Sequence, residues 1–274
     1  MREAARDGYH RGMSTGLPIS AKIPRAALVT GAAQRLGRAI ALALAGAGFD
    51  LAIHCRSSTE QAEATAREIR GLGRRATILR ADLAREAETA TLLRRATGEL
   101  GPIGVLVNNA SSFDRDEWHN VTRETWDAHL EPNLRAPFVL MQDFARALPE
   151  DAEGVVINMI DQRVWSITPH FVSYTVSKAG LWALTQSMAL ALAPRIRVNG
   201  IGPGPALPSS RQTQVQFERQ SESVPLRHGT SPEEVGRATL AILALPAMTG
   251  QMIALDGGQH LQWASGRASP PPEE

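Results

Sequence analysis

Tyr174-Thr175-Val176-Ser177-Lys178 sets a phenol and an ammonium four residues apart, the spacing that brings two side chains onto one face of a helix. A cation beside a phenol stabilises the phenolate, so the hydroxyl can give its proton to an atom that turns anionic when hydride arrives. The chain has only two tyrosines, Tyr9 and Tyr174, and two lysines, Lys22 and Lys178. A chance Tyr-x-x-x-Lys then has odds of roughly one or two in a hundred. Asp161 stands thirteen positions before Tyr174, after the apolar run Val155 to Ile160. A carboxylate there opposes the action of Lys178 unless it holds a proton or acts through water. A protonated Asp is a stronger acid than Tyr and is suited to relaying a proton to a ring nitrogen. The alternative is a plain loop carboxylate. Asn133 is expected to reach Lys178 through water.

A second constellation lies near the start of the chain. An apolar run leads into Thr30-Gly31-Ala32-Ala33-Gln34-Arg35-Leu36-Gly37, and a helical pattern begins at once. Glycine at the first and last of these positions allows a tight turn and close approach of backbone to a pyrophosphate, with the helix N-terminus supplying N–H groups and a positive dipole end. The end of the second apolar run, where an NAD site would carry an acid for the ribose hydroxyls, reads His54-Cys55-Arg56-Ser57-Ser58. Asp50 sits at the wrong end of that run. Arg56, Ser57 and Arg35 are instead suited to clasp a 2′-phosphate, which points to NADP(H); Arg56 as a solvated surface charge is the alternative. Asp82-Leu83 is placed for the adenine edge, and Asn108-Asn109-Ala110 for the nicotinamide ribose.

These residues need a scaffold that gathers strand ends and helix starts. Short apolar runs (Ala26–Val29, Leu51–Ile53, Ala76–Leu79, Val105–Val107, Val155–Ile157, Ile196–Val198 and Met252–Leu255) alternate with stretches of helical period. Those stretches are Gly37–Ala47, Thr59–Arg70, Arg85–Gly98, Thr122–Leu148, Val172–Ala193 and Pro232–Leu245. The pattern predicts an α/β fold: one Rossmann-like, doubly wound sheet of seven parallel strands with helices on both faces, binding ligands at the carboxyl ends of its strands. The 274 residues suit one such domain over 25–263, between a disordered N-terminal tail (1–24, with Met13 an alternative start) and a flexible, proline-rich tail (264–274).

Composition narrows the partners. Lys+Arg 29 against Asp+Glu 28 leaves no basic excess for nucleic acid. The single Cys55 forms no internal disulfide, and the seven His are too dispersed for a metal site. No segment is apolar enough for a membrane span, and residues 1–24 carry no secretory h-region, so a cytoplasmic location is expected. Arg74-Arg75 and Arg94-Arg95 are expected on solvated faces.

Together the glycine turn, Asp82, Asn108-Asn109-Ala110, Asn133, Tyr174 and Lys178, Pro203-Gly204 and Asp256-Gly257-Gly258 resemble the short-chain dehydrogenase/reductase (SDR) family over Arg25 to Trp263. Three departures from the common pattern resemble its pteridine reductase or dihydromonapterin reductase-like branch. Arg35 replaces the middle glycine, Asp161 replaces the catalytic serine, and Ser111-Ser112-Phe113 follows Asn108-Asn109-Ala110. The resemblance implies that Arg35 and Ser111 touch cofactor phosphate or substrate, and that Phe113 sandwiches a pterin against the nicotinamide. It also implies that Asp161, Tyr174 and Lys178 deliver the proton. The cofactor contacts it implies are Gly31, Arg35, Leu36, Gly37, His54, Arg56, Ser57, Asp82, Leu83, Asn109, Ala110, Ser111, Tyr174, Lys178, Pro203 and Gly204. A pterin C=N needs hydride at carbon and a proton at nitrogen, and a flat heteroaromatic suits an aromatic platform. By position alone Phe113 also reads as a wall on the cofactor side. A carbonyl or 3-oxoacyl reductase is the second enzyme reading, weakened by Asp161 where a hydroxyl would bind the carbonyl oxygen; a non-catalytic NADP(H)-binding regulator is the third. The far wall of the substrate site is expected from Pro205 to Val224, a polar lid, with Trp165 as another candidate. Assembly as a homotetramer or homodimer is implied by the resemblance.

Overall fold

The computed structural model describes residues 18–209 and 211–261. The expected C-terminal tail, the first seventeen residues and Trp263 lie outside these. Of the expected N-terminal tail, Ile19 packs against the core and Ile23 is buried, so the packed chain begins before Arg25.

Seven strands form one parallel sheet: β1 (Ala26–Val29), β2 (Asp50–Cys55), β3 (Ala76–Arg80), β4 (Val105–Asn108), β5 (Gly154–Met159), β6 (Ile196–Pro203) and β7 (Met252–Leu255). Their order is β3-β2-β1-β4-β5-β6-β7. The chain winds outward from β1 to β3, then returns to β4 on the other side of β1, with Leu28 opposite both Ala52 and Leu106. That reversal opens a crevice at the carboxyl ends of β1 and β4.

The strands read as continuous apolar runs because both faces are covered. On one face Ala27, Val29, Leu51 and Ile53 meet Ile40 and Leu44 of α1 (Arg35–Gly46), Ala62 and Ile69 of α2 (Thr59–Gly71) and Ile242 of α8 (Pro232–Ala244). On the other, Leu28, Leu106 and Val156 meet Leu92 of α3 (Glu86–Leu100), Leu140 and Phe144 of α5 (Ala136–Ala147) and Met188 of α6 (Val172–Leu192). Removing one such fully buried leucine, as in Leu106→Ala, costs about 2–5 kcal/mol in transfer and cavity terms.

Three features depart from the sequence reading. The stretch Thr122–Leu148 is one helical rod but not one α-helix. Between α4 (Arg123–Leu130) and α5 lies a wide π-helical turn, Glu131–Arg135. Pro132 within it and Pro137 just after it have no N–H to give to an α ladder. Within the lid, Gln214–Ser223 forms a helix, α7, capped by reciprocal bonds between Thr213 and Gln216. Finally, Arg74 and Arg75 are not simply solvated: both clasp the buried Asp50, with Nη2 of Arg74 at 2.7 Å and Nε of Arg75 at 2.8 Å. Burial pushes the Asp50 carboxyl upward, but the bonds from the Arg75 backbone and both guanidinium groups outweigh it and hold the group below its ordinary value.

Candidate active site

The crevice widens into a cleft of about 790 Å³. The cofactor and substrate contacts implied above line it, as do Asp161, Tyr174 and Lys178; Asn133 does not, nor does Asn108, which is buried with its Nδ2 donating to Asn158 Oδ1 at 2.8 Å. Trp165 also lies apart, edge-on to Trp182 at 6.2 Å and to His260 at 5.1 Å, so it forms no wall of this cleft.

At the nucleotide end, Gly31 has φ +62°, and a Cβ on Gly37 would stand 2.2 Å from the Gly31 carbonyl oxygen. Both positions therefore need glycine, one for conformation and one for contact. Helix α1 starts with no side-chain cap and no acid in its first turn, so its N–H groups and positive end are left to the cleft. This fits a pyrophosphate. Arg35 occupies the left-handed region, φ 55°, where glycine is ordinary; its guanidinium donates to the carbonyls of Pro208 at 2.9 Å and Leu207 at 3.4 Å on the lid.

His54 serves this turn from behind. Its Nδ1 accepts the Gly31 N–H at 3.1 Å, which leaves the proton on Nε2, 3.1 Å from the Ala81 carbonyl. Burial pulls its pKa down to about 4, so the ring is neutral at ordinary pH. Both nitrogens are thus spent inside the fold. Asn109 is spent similarly, its Nδ2 donating to the Thr30 and Gly31 carbonyls at 2.8 and 3.1 Å. Arg56 and Ser57 stay exposed at the β2 end, where the Arg56 carbonyl accepts from Arg80 Nε at 3.1 Å. Asp82 Oδ1 accepts the Ala84 N–H at 3.1 Å, and Leu83 is buried beside it.

At the other end, Tyr174 Oη donates to Asp161 Oδ2 at 2.8 Å. The second Asp161 oxygen accepts the Arg163 N–H at 2.8 Å, because Asp161 caps a short 3-10 turn, Gln162–Val164. Lys178 is buried and donates to the Met159 carbonyl at 2.8 Å, with Nζ 5.7 Å from the centre of the Tyr174 ring. Burial lowers its pKa to about 8, against the opposing pull of Asp161.

Phe113 stands edge-on to Tyr174, ring centres 4.6 Å apart, and stacks on Phe171 at 4.7 Å. Arg211 lies over the Phe113 ring at 5.2 Å and ties the lid to this loop through the Phe113 carbonyl, 2.9 Å, and Asp114. Ser111 lines the cleft with its hydroxyl donating to the Ser112 carbonyl. Pro203, Gly204 and the lid residues Pro205, Leu207, Ser209 and Gln212 also line the cleft.

Asn133 makes no direct bond to Lys178. It is buried in the π turn, where Oδ1 accepts the Ser112 N–H at 2.8 Å and Nδ2 donates to the Ser112 carbonyl, 2.9 Å, and Ser177 Oγ, 3.0 Å. Phe171, Arg211, Gln162 and the buried trio Asp116, His129 and Ser173 were not read from the sequence. Only Ser173 had a signal, its place directly before the phenol. Among the described residues no cluster of His, Cys, Asp or Glu could hold a metal ion, and no helix is long and apolar enough to cross a membrane.

The short chain dehydrogenase family model matches residues 25–219. FolM alternative dihydrofolate reductase 1 from Brucella canis, solved with NADP, is 46% identical, covers 91% of this chain and 100% of its own, and superposes with a TM-score of 0.87. The Brucella suis protein of the same name, also with NADP, is 48% identical over 87% of this chain and 96% of its own, with a TM-score of 0.84. The 3-oxoacyl-[acyl-carrier-protein] reductase FabG of Staphylococcus aureus is 30% identical over 88% of this chain and 100% of its length. With a seven-stranded parallel sheet, an uncapped glycine turn at its crevice and a Tyr-x-x-x-Lys helix beside it, the chain belongs to the short-chain dehydrogenase/reductase family, whose members bind a nicotinamide cofactor.

Proposed function

We propose that this chain is an NADPH-dependent reductase of a dihydropterin, of the dihydrobiopterin, dihydromonapterin or dihydrofolate kind. The observation that carries this reading is the Tyr174–Asp161 hydrogen bond, 2.8 Å, set directly beside the Phe113 ring. A carbonyl reductase needs a neutral hydroxyl at position 161 to hold the substrate oxygen; a carboxylate there suits protonation of nitrogen. The cofactor, when bound, supplies the hydride. Gly31, Gly37 and the N-terminus of α1 would hold its pyrophosphate, with Arg56 and Ser57 at a 2′-phosphate.

The chain's own part in the step is proton delivery. The Tyr174 hydroxyl, already aimed at Asp161 Oδ2, hands its proton to that carboxylate as the carboxylate passes it on to the ring nitrogen, and Lys178 stabilises the phenolate that is left. Phe113, fixed by Phe171 and Tyr174, would offer the pterin a flat ring face once Arg211 of the lid, which lies over the ring, moves aside. The FolM likeness at 46–48% identity supports this substrate class.

The test is NADPH oxidation at 340 nm with dihydrobiopterin, dihydromonapterin and dihydrofolate, beside a small ketone and a 3-oxoacyl thioester. Turnover of a pterin that disappears in Phe113→Ala and Asp161→Ala supports the reading. Turnover of only the ketone or thioester would favour the second reading, a carbonyl or 3-oxoacyl reductase, for which the FabG relative speaks. The proposal includes a cytoplasmic homotetramer or homodimer; Leu190 and Val176 of α6 are exposed apolar positions for such contacts, and light scattering measures the mass.

A further inference from the structure

Residues 111–117 carry Phe113 but form neither helix nor strand, so side chains from neighbouring helices must hold them. Asn133 takes both backbone groups of Ser112. His129 of α4 accepts the Asp114 N–H on Nε2 at 2.9 Å. Asp116 accepts from the Ser173 hydroxyl and, at 3.2 Å, from the Ser173 N–H, while its own carbonyl accepts the Phe171 N–H at 2.9 Å. Ser173 Oγ also lies 2.7 Å from His129 Nδ1.

These bonds have a direction. Because His129 Nε2 accepts an amide hydrogen, the ring proton is on Nδ1, facing Ser173 Oγ and the Thr125 carbonyl at 3.0 Å. Ser173 spends its own hydrogen on Asp116. The chain runs His129 to Ser173 to Asp116, with the serine in the middle. A hydrolytic triad has the histidine in the middle, taking the serine's proton. The order here rules that out, and burial agrees: the three residues are 1%, 0% and 4% exposed.

The same bonds fix the backbone on both sides of the Tyr174–Phe113 pair. Phe171 is held in the left-handed region, φ 58°, by the Asp116 carbonyl, and its ring is the one Phe113 stacks on. The His129 ring itself lies edge-on to Tyr174 at 6.1 Å. We propose that His129, Ser173 and Asp116 are positioning residues that set the Phe113 ring against Tyr174 and so orient the substrate between platform and proton donor. The inference rests on the reading of Phe113 as a substrate platform.

The test uses the full-length protein with Ser173→Ala and Ser173→Thr. The readouts are hydrogen exchange of amides 111–117, an NADPH fluorescence titration, and steady-state kinetics with dihydrobiopterin. The expected result for Ser173→Ala is faster exchange at 111–117 and a KM for dihydrobiopterin raised about tenfold with a smaller fall in kcat. The NADPH Kd stays within about twofold, and Ser173→Thr, which keeps the hydroxyl, recovers most of the loss. If Ser173→Ala does not fold, His129→Gln, which keeps an acceptor for the Asp114 N–H, is compared with His129→Leu by the same readouts. Unchanged exchange at 111–117, or a rise in NADPH Kd parallel to KM, overturns the proposal. Should the wild-type protein turn over no dihydropterin, the substrate reading fails separately, and the exchange measurement alone decides whether the trio holds the loop.

Discussion

The Tyr174 hydroxyl points its proton at Asp161 Oδ2, 2.8 Å away, and not into open cleft. On the proposed mechanism, phenol and carboxylate act as one donor unit. Either Tyr174→Phe or Asp161→Asn is expected to lower turnover about 100- to 10,000-fold, and the double variant little further. NADPH affinity, measured by fluorescence titration, should change little in all three. Losses that multiply in the double variant would show that the two groups act separately.

Lys178 sets a pH limit. The free protein holds its ammonium at about 8, so kcat/KM, which reports the free enzyme, should fall as pH rises through that value. Stability moves oppositely. Between about 8 and the ordinary lysine value of 10.5 the unfolded chain binds a proton that the folded one has released, so this group makes folding more favourable as pH rises across that window. A pH–rate profile flat from 7 to 9 would contradict the assignment.

His54 works on the acid side. Its folded value of about 4 lies below the ordinary 6.5, so between these the unfolded chain is the one that gains a proton. Its contribution to stability is present above 6.5 and is lost as pH falls toward 4. Urea midpoints at pH 7 and pH 5 should differ less in His54→Phe than in the wild type. At pH 7 that variant should lose about 1–3 kcal/mol, because the Gly31 N–H and Ala81 carbonyl lose their partner.

Arg35 holds a left-handed backbone at φ 55°. Arg35→Gly and Arg35→Ala both remove the bonds to Leu207 and Pro208, but only glycine relieves the backbone. The glycine variant should be the more stable of the two by about 1 kcal/mol, and both should bind NADPH more weakly than the wild type. Equal melting temperatures for the pair would mean the position carries no strain.

Much of this was legible because parallel sheets write themselves plainly: Leu51–Ile53 or Val105–Val107 can hardly be anything but buried strands, and the glycine turn lies where the first one ends. The lid helix α7 was missed since none of its residues is buried, which leaves no apolar stripe; the Thr213–Gln216 capping pair was its one readable mark. Asn133 was assigned to the right helical rod, but its partners depend on the π turn, and periodicity read over Thr122–Leu148 does not register one shifted turn. The Asp116–Ser173–His129 chain joins a loop and two helices separated by up to 57 positions, a relation no local spacing encodes.

The π turn at Glu131–Arg135 has a meaning for how this chain tolerates change. A wide turn accommodates one more residue than the regular ladder, so the helices on either side differ in phase by about 100° from a continuous α-helix. His129 and Phe144 face their correct neighbours only with that extra residue in place. A single-residue deletion between 131 and 135 would leave every neighbouring side chain chemically intact and yet turn one half of the rod away from its partners. Here the number of residues matters alongside their identity, because it sets the phase of everything that follows.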